Sequence, residues 1–285
     1  MNKTRIFTYI LCIFTAVLML LPILWAVSTS FKNNWDVREF PPQWIPFPPV
    51  FRSFQLLFFP TPEDISTGLV PAEPFLSYMI ASIIVASSVT VLNLVICSFA
   101  AFAFSRLEFR GREILFGAIL ATMMIPGNIK AIPAFLITHQ LGMVNSYFGL
   151  IIPHAAGVTV TFLLRQFFTT FPNELEEAAT IDGCSRFGCF WRIILPNSKT
   201  AIIAAGLTLF ILEWNNFLWP LIVIPSGRIR TLPVGLRVYA GGEIVMSNWP
   251  LNMAGVIVAT LPVLILFLLA HRYFLKGVVL SGLTK

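Results

Sequence analysis

The sequence predicts an all-α polytopic membrane protein with six transmembrane helices and both termini on the cytoplasmic face. Three observations carry that expectation. Only 11% of the 285 residues are charged and 57% are hydrophobic, with mean hydropathy +0.83; soluble domains carry about 25% charged residues. Apolar runs near twenty residues long recur along the chain, and helices alone satisfy such a backbone inside lipid. With both ends inside, twelve Lys and Arg fall on cytoplasmic segments and seven on the longer outer ones, the positive-inside asymmetry. The net charge of +6 is scattered over segment ends, so it reads as topology and not as a nucleic-acid footprint.

Residues 1–30 form the first expected span, a basic head (Lys3, Arg5) before the apolar run Ile6–Val27. A cleaved leader would have an apolar region of about 7–15 residues, so an uncleaved helix is expected. Residues 31–74 are rich in Pro and aromatics and carry five acids against three bases. They read as an extracytoplasmic loop with one short helix near Ser53–Phe59, since the prolines oppose a further span. Residues 75–275 hold the remaining spans, at about 76–104, 113–127, 146–168, 201–224 and 251–274. Small polar residues along the second span, Asn93 among them, serve helix packing more often than a pathway. The third span stops at Pro126-Gly127-Asn128, and the stretch to Leu141, interrupted by Pro133, is expected in the outer interface. Residues 276–285 are expected to be a cytoplasmic tail.

Between the fourth and fifth spans lies a less apolar loop, 170–200. Acids Glu174, Glu176 and Glu177 suit a helix N-terminus, and Pro172 suits a first turn. Ala178 and Ala179 follow, then Asp182-Gly183, where glycine lets the chain reverse between two short helices. An amphipathic second half ends at Ile193-Ile194-Leu195-Pro196. Charge asymmetry places this loop in the cytoplasm. It reads either as a plain connector or as a small-residue surface for a partner.

Candidate chemistry is sparse. Glu213 is the one acid deep in an apolar span, roughly 20 Å along a helix from Lys199. An ionised carboxylate there costs about 2.5–3.5 kcal/mol, so it should face a cavity or a partner. Asn215 and Asn216 follow at once; a polar patch on a pathway and interhelical hydrogen bonding are equally open. His139, His154 and His271 stand alone in sequence, and catalytic and nucleotide-binding motifs are not recognised. Cys184 and Cys189, five apart, would lie about 140° around a helix from each other, which argues against disulfide or metal use. An intramembrane enzyme using Glu213 with a His is the rival reading, but no His stands at catalytic spacing.

Glu177-Ala178-Ala179, three residues, Gly183, nine residues and Ile193-x-Leu195-Pro196 together resemble the EAA loop of ABC importer permeases. The likeness spans nearly the whole chain and looks nearest to the carbohydrate-uptake subfamily, the smaller maltose-type permease subunit. Ala100–Arg106, Met124-Ile125-Pro126, Leu164–Phe168, Trp214–Pro220, Leu232–Leu236 and Arg272–Gly277 support it. Cys184, Thr200, His271 and Ala81 depart from its usual residues, and Pro60–Pro74 looks longer than usual. The resemblance implies a type I ABC importer permease fold in the bacterial inner membrane, and half of a transmembrane pathway for a sugar-type solute. Glycerol 3-phosphate or another organic solute is the alternative; no Lys or Arg deep in a span favours a neutral one. It further implies a homologous second permease subunit, two ABC ATPase subunits and an extracytoplasmic solute-binding protein. ATP and Mg would sit on the ATPases, with no cofactor, metal or catalytic residue on this chain. Glu174, Glu177, Ala178, Ala179, Asp182, Gly183, Ile193, Leu195 and Pro196 would form the ATPase-coupling loop. Asn93, Glu213, Asn215 and Asn216 are the candidate pathway residues.

Overall fold

The computed structural model describes residues 3–227, 229–240 and 248–282, with side chains from Arg5 to Ala270 within those ranges. Arg228, residues 241–247, residues 1–2 of the expected first span and the end of the expected tail lie outside the described residues. In chain order the helices are α1 (Lys3–Ser30), α2 (Arg52–Phe58), α3 (Pro62–Ser66), α4 (Phe75–Arg106), α5 (Arg112–Ala121), α6 (Gly127–Gln140), α7 (Tyr147–Ile151) and α8 (Val158–Thr169). Then follow α9 (Glu174–Ile181), α10 (Arg186–Cys189), α11 (Leu195–Asn197), α12 (Lys199–Trp214), α13 (Leu218–Val223), α14 (Leu232–Tyr239) and α15 (Trp249–Gly282). No strand occurs among the described residues, as backbone in lipid requires of an open chain.

Three stretches are long and apolar enough to cross a membrane unbroken: Arg5–Ser30, Phe75–Arg106 and Trp249–Ala270. Three further candidates are bent pairs. Arg112–Met124 meets Gly127–Gln140 at 103°, Tyr147–His154 meets Val158–Thr169 at 41°, and Arg186–Asn197 meets Lys199–Trp214 at 74°. The first bend falls at Pro126-Gly127, as expected, but α6 runs through Pro133 without stopping. The expected fifth span, 201–224, is not one helix: α12 ends at Trp214, and α13 begins only at Leu218. Pro220 inside α13 cannot donate back to residue 216, so an unbroken ladder across this point is not available.

The chain divides into two compact units. The first comprises Met1–Met79 with Leu232–Pro262. In it Phe75, Tyr78 and Tyr239 pack edge to face, with Phe75 and Tyr78 ring centroids 5.6 and 6.3 Å from Tyr239. Gly235 lets α14 lie directly on Tyr78: a Cβ there would fall 2.2 Å from the ring. Residues 31–74 are ordered by their own polar groups. Lys32 is buried, donates to the Gln43 carbonyl and lies over the Trp25 ring; burial lowers its pKa, against the raising effect of Asp36. The expected short helix is α2, and α3 was not foreseen. Thr61 caps α3 in a capping box with Asp64, which Arg52 also pairs.

The second unit comprises Ile80–Thr231 with Val263–Lys285. One of its cores joins α4, α8, residues 190–194 and α12 through Cys97, Phe102, Leu164, Phe168, Phe190 and Ile194. The other joins α4, α7 and α13 through Val85, Val89, Leu150, Trp219 and Val223. Between them lie the two helix breaks that concern the candidate site.

Candidate functional site

The loop after α8 folds as two short helices around a glycine turn. Glu174, Glu176 and Glu177 occupy the first turn of α9, where the positive end of the helix dipole favours acids. Pro172 lies outside the helix, one residue before the N-cap Asn173, rather than in its first turn. The helix closes on Gly183 at φ +82°, with Gly183 N–H donating to the Thr180 carbonyl (3.0 Å) and Cys184 N–H to the Ala179 carbonyl (2.8 Å). That is a Schellman cap, open to few residues but glycine. Ser185 then caps α10 by accepting from Gly188 N–H.

The second half is anchored and the first half is presented. Cys189, Phe190 and Ile194 are buried, and Phe187, Phe190 and Trp191 pack about Phe99 of α4. Glu174, Glu177, Ala178, Asp182, Gly183 and Pro196 are exposed, Ala179, Ile193 and Leu195 half-buried. Ile181, which sequence reasoning passed over, is 87% exposed beside the turn. That exposure belongs to the fold, and no local signal in the sequence marks it.

Cys184 and Cys189 do not stand 140° apart. Cys184 precedes the N-cap of α10, so one helical wheel does not hold both. Both are free; burial, then Cys184, pushes the Cys189 thiol pKa up.

The second cluster sits where two broken helices meet. His154 ends the short 3-10 turn after α7, and Ala155–Gly157 separate it from α8. Glu213 lies in the last turn of α12, where the negative end of the helix dipole disfavours a carboxylate. The structure answers that with donors: His154 Nδ1 lies 2.9 and 3.0 Å from the two Glu213 oxygens, and Asn216 Nδ2 donates to Oε2 at 3.2 Å. Trp219 packs by the imidazole and donates through Nε1 to the Gly149 carbonyl at 3.0 Å. So a His does pair with Glu213, across 59 residues that no local spacing could reveal.

Of the four candidate pathway residues, the structure brings Glu213 and Asn216 together. Asn215 is exposed and donates back to Ile211 of its own helix. Asn93 is 2% exposed: its amide donates to the His154 carbonyl, and Cys97 bridges its side chain to Gly157. Together Asn93 and Cys97 satisfy backbone groups that the break in the α7–α8 pair sets free.

A family described as binding-protein-dependent transport system inner membrane component matches residues 93–279. The chain belongs to that family. It is 33% identical over 266 residues to a probable ABC transporter permease protein YurM of Bacillus subtilis (strain 168), covering 93% of this chain and 83% of that one. Its identity to the sn-glycerol-3-phosphate transport system permease protein UgpE is 31% over 274 residues in Yersinia pestis bv. Antiqua (strain Antiqua) and 33% over 275 in Salmonella typhi. Each match covers 96% of this chain and 95% of the relative. A solved chain from a bacterial ABC transporter involved in the import of the acidic polysaccharide alginate shares the fold. It has TM-score 0.78 and 22% identity, and the match covers 96% of this chain and 99% of that one. The protein is therefore a multi-pass inner-membrane permease of an ABC importer. This family transports and is not an enzyme family.

Proposed function

We propose that the permease forms half of the pathway of a six-span importer with both termini cytoplasmic. Residues 31–74 form its extracytoplasmic loop and 170–200 its coupling loop. Its assembly would be a second, homologous permease, two ABC ATPases that bind ATP and Mg, and an extracytoplasmic solute-binding protein. The observation that carries the coupling role is the presented half of the loop. Small and apolar groups at Ala178, Ile181 and Gly183, edged by Glu174, Glu177 and Asp182, stand exposed while Ile193, Leu195 and the buried Phe190 hold the base. Close approach by small residues and acids facing a basic rim suit a protein groove. A Cβ on Gly183 would meet nothing within 4 Å, so a large side chain there projects outward. In the assembled transporter, Gly183→Trp should abolish ATP-driven uptake while membrane insertion and yield stay at wild-type level. Uptake at the wild-type rate would sink the coupling role.

For cargo we read a neutral sugar-type solute. The polar groups at the paired breaks are a carboxylate, an imidazole and amides, with Glu213 in the place where an anionic cargo would need a cation. Irregular backbone at membrane depth is tolerated where it is buried in protein or lines a cavity, and broken helices in transporters supply solute sites. sn-Glycerol 3-phosphate is the second reading, favoured by the names of the UgpE relatives. Thermal-shift measurement on the cognate binding protein with maltose, trehalose and sn-glycerol 3-phosphate separates them. A shift with the phosphate alone would overturn the sugar reading.

A further inference from the structure

Arg106, the last residue of α4, is buried to 8% side-chain exposure although it stands at a helix end. Its guanidinium reaches four acceptors on a different part of the chain. Nη2 donates to the carbonyls of Phe168 (2.6 Å) and Phe171 (2.7 Å), at and just past the end of α8. Nη1 donates to the side chain of Asn173, and Nε faces Glu176 Oε1 at 3.1 Å, an ion pair made off the hydrogen-bonding direction. Arg106's own carbonyl accepts from Arg186 of α10 at 3.4 Å.

Each contact has a physical reason, and together they are unusual. The C-terminus of α8 and the first-turn acids of α9 are both electronegative, so the junction calls for a cation. An N-cap Asn normally accepts from its own helix; Asn173, whose backbone is already helical at φ −67° and ψ −27°, makes no such bond, and its side-chain oxygen accepts from Arg106. The entry to α9 is thus tethered to another helix through the side chain of its N-cap residue. A planar fork with five N–H donors can hold such divergent acceptors at once, whereas an ammonium is a point charge on a flexible stem.

The geometry points to Arg106 as a positioning residue that makes α9 move with α4 and the end of α8 as one body. Movement imposed on the loop then reaches the spans instead of being absorbed at residues 170–173. This rests on the coupling role proposed for the loop. Arg106 itself touches neither solute nor nucleotide.

The test uses the assembled transporter with its partner permease and ATPases. Nitroxides are placed at Val91→Cys on α4 and Leu175→Cys on α9, both exposed, and dipolar EPR distances are measured without nucleotide and with Mg-ATP. The expected result is one narrow distance that nucleotide leaves unchanged. Arg106→Gln should lose it to a broad distribution, and Arg106→Lys should fail to restore it, which retained charge alone would do. An equally narrow distance in Arg106→Gln, or a wild-type distance that shifts with Mg-ATP, overturns the proposal. Should Arg106→Gln not assemble, Asn173→Ala with Glu176→Gln removes the two α9 contacts and spares the carbonyl acceptors. It must broaden the distance likewise, and a narrow one overturns the proposal. Cross-linking of Ala178→Cys to the ATPase is scored separately. Its absence alongside a narrow wild-type distance would sink the coupling role and leave the clamp standing.

Discussion

His154 and Glu213 meet at 2.9 Å across the ends of two interrupted helices, with side chains 26% and 11% exposed. Each balances a polar group that the apolar setting disfavours. Removing His154 leaves Glu213 with only the Asn216 amide, which is more damaging than replacing both with apolar residues. His154→Leu should therefore lower the yield of inserted protein by exposing a carboxylate that costs about 2.5–3.5 kcal/mol at membrane depth. His154→Leu with Glu213→Leu should recover yield and detergent melting temperature, yet lose uptake. A double variant that imports at the wild-type rate would remove the pair from the pathway.

Gly183 is needed for its backbone and not for space. At φ +82° with nothing near its Cβ position, alanine meets no clash but bears a left-handed strain of roughly 1–2 kcal/mol. Asparagine, which tolerates that conformation, should be milder than alanine, and valine worse. Uptake rates in the order Gly, Asn, Ala, Val would support this; equal rates for all four would not.

Gly235 is the opposite case. Its Cβ position lies 2.2 Å from Cδ2 of Tyr78, a rigid ring that is fully buried. Gly235→Ala should destabilise by about 1–3 kcal/mol through overpacking, read as a lower melting temperature in detergent. Gly117→Ala is the control: it sits inside α5 with nothing within 4 Å, and should be neutral or slightly stabilising.

The segment 61–67 carries a pH dependence of known sign. Thr61's N–H and then its hydroxyl hold the Asp64 carboxyl below the usual carboxylate range, and Arg52 adds to this. A group whose folded pKa is depressed contributes fully above its unfolded value of about 3.9 and loses that contribution as pH falls through the folded value. Hydrogen-exchange protection of residues 61–67 should thus be flat through neutral pH and drop only in acid below the unfolded value. Asp64→Asn should remove the acid transition, and Thr61→Ala should weaken the helix start by about 1 kcal/mol. Protection that instead rises on acidification would contradict the assignment.

What was legible in sequence followed from local chemistry. Apolar length marked α1, α4 and α15, Pro126-Gly127 marked a bend, and Asp182-Gly183 marked the turn, because each signal lies within a few residues. The break after Trp214 has no Gly and no Pro at its start, so Asn215-Asn216 read as polar side chains in a span instead of as its interruption. His154 and Glu213 are partners only after folding. Arg106 reads in sequence as one more cytoplasmic charge, since the carbonyls that claim it are set by where α8 ends. The wheel that separated Cys184 from Cys189 failed because Ser185 starts a new helix, a cap signal present in the sequence but not used.

α4 carries Arg106 at its tip and Asn93 thirteen residues inward, where Asn93 seals the break beside His154 with a 3.1 Å hydrogen bond. An unbroken helix is a lever: thirteen residues span about 20 Å. Tilting it by about 5° around its Arg106 end swings Asn93 through nearly 2 Å, enough to part that bond. A modest tug at one end of a stiff rod is therefore sufficient to unlatch the joint further along it.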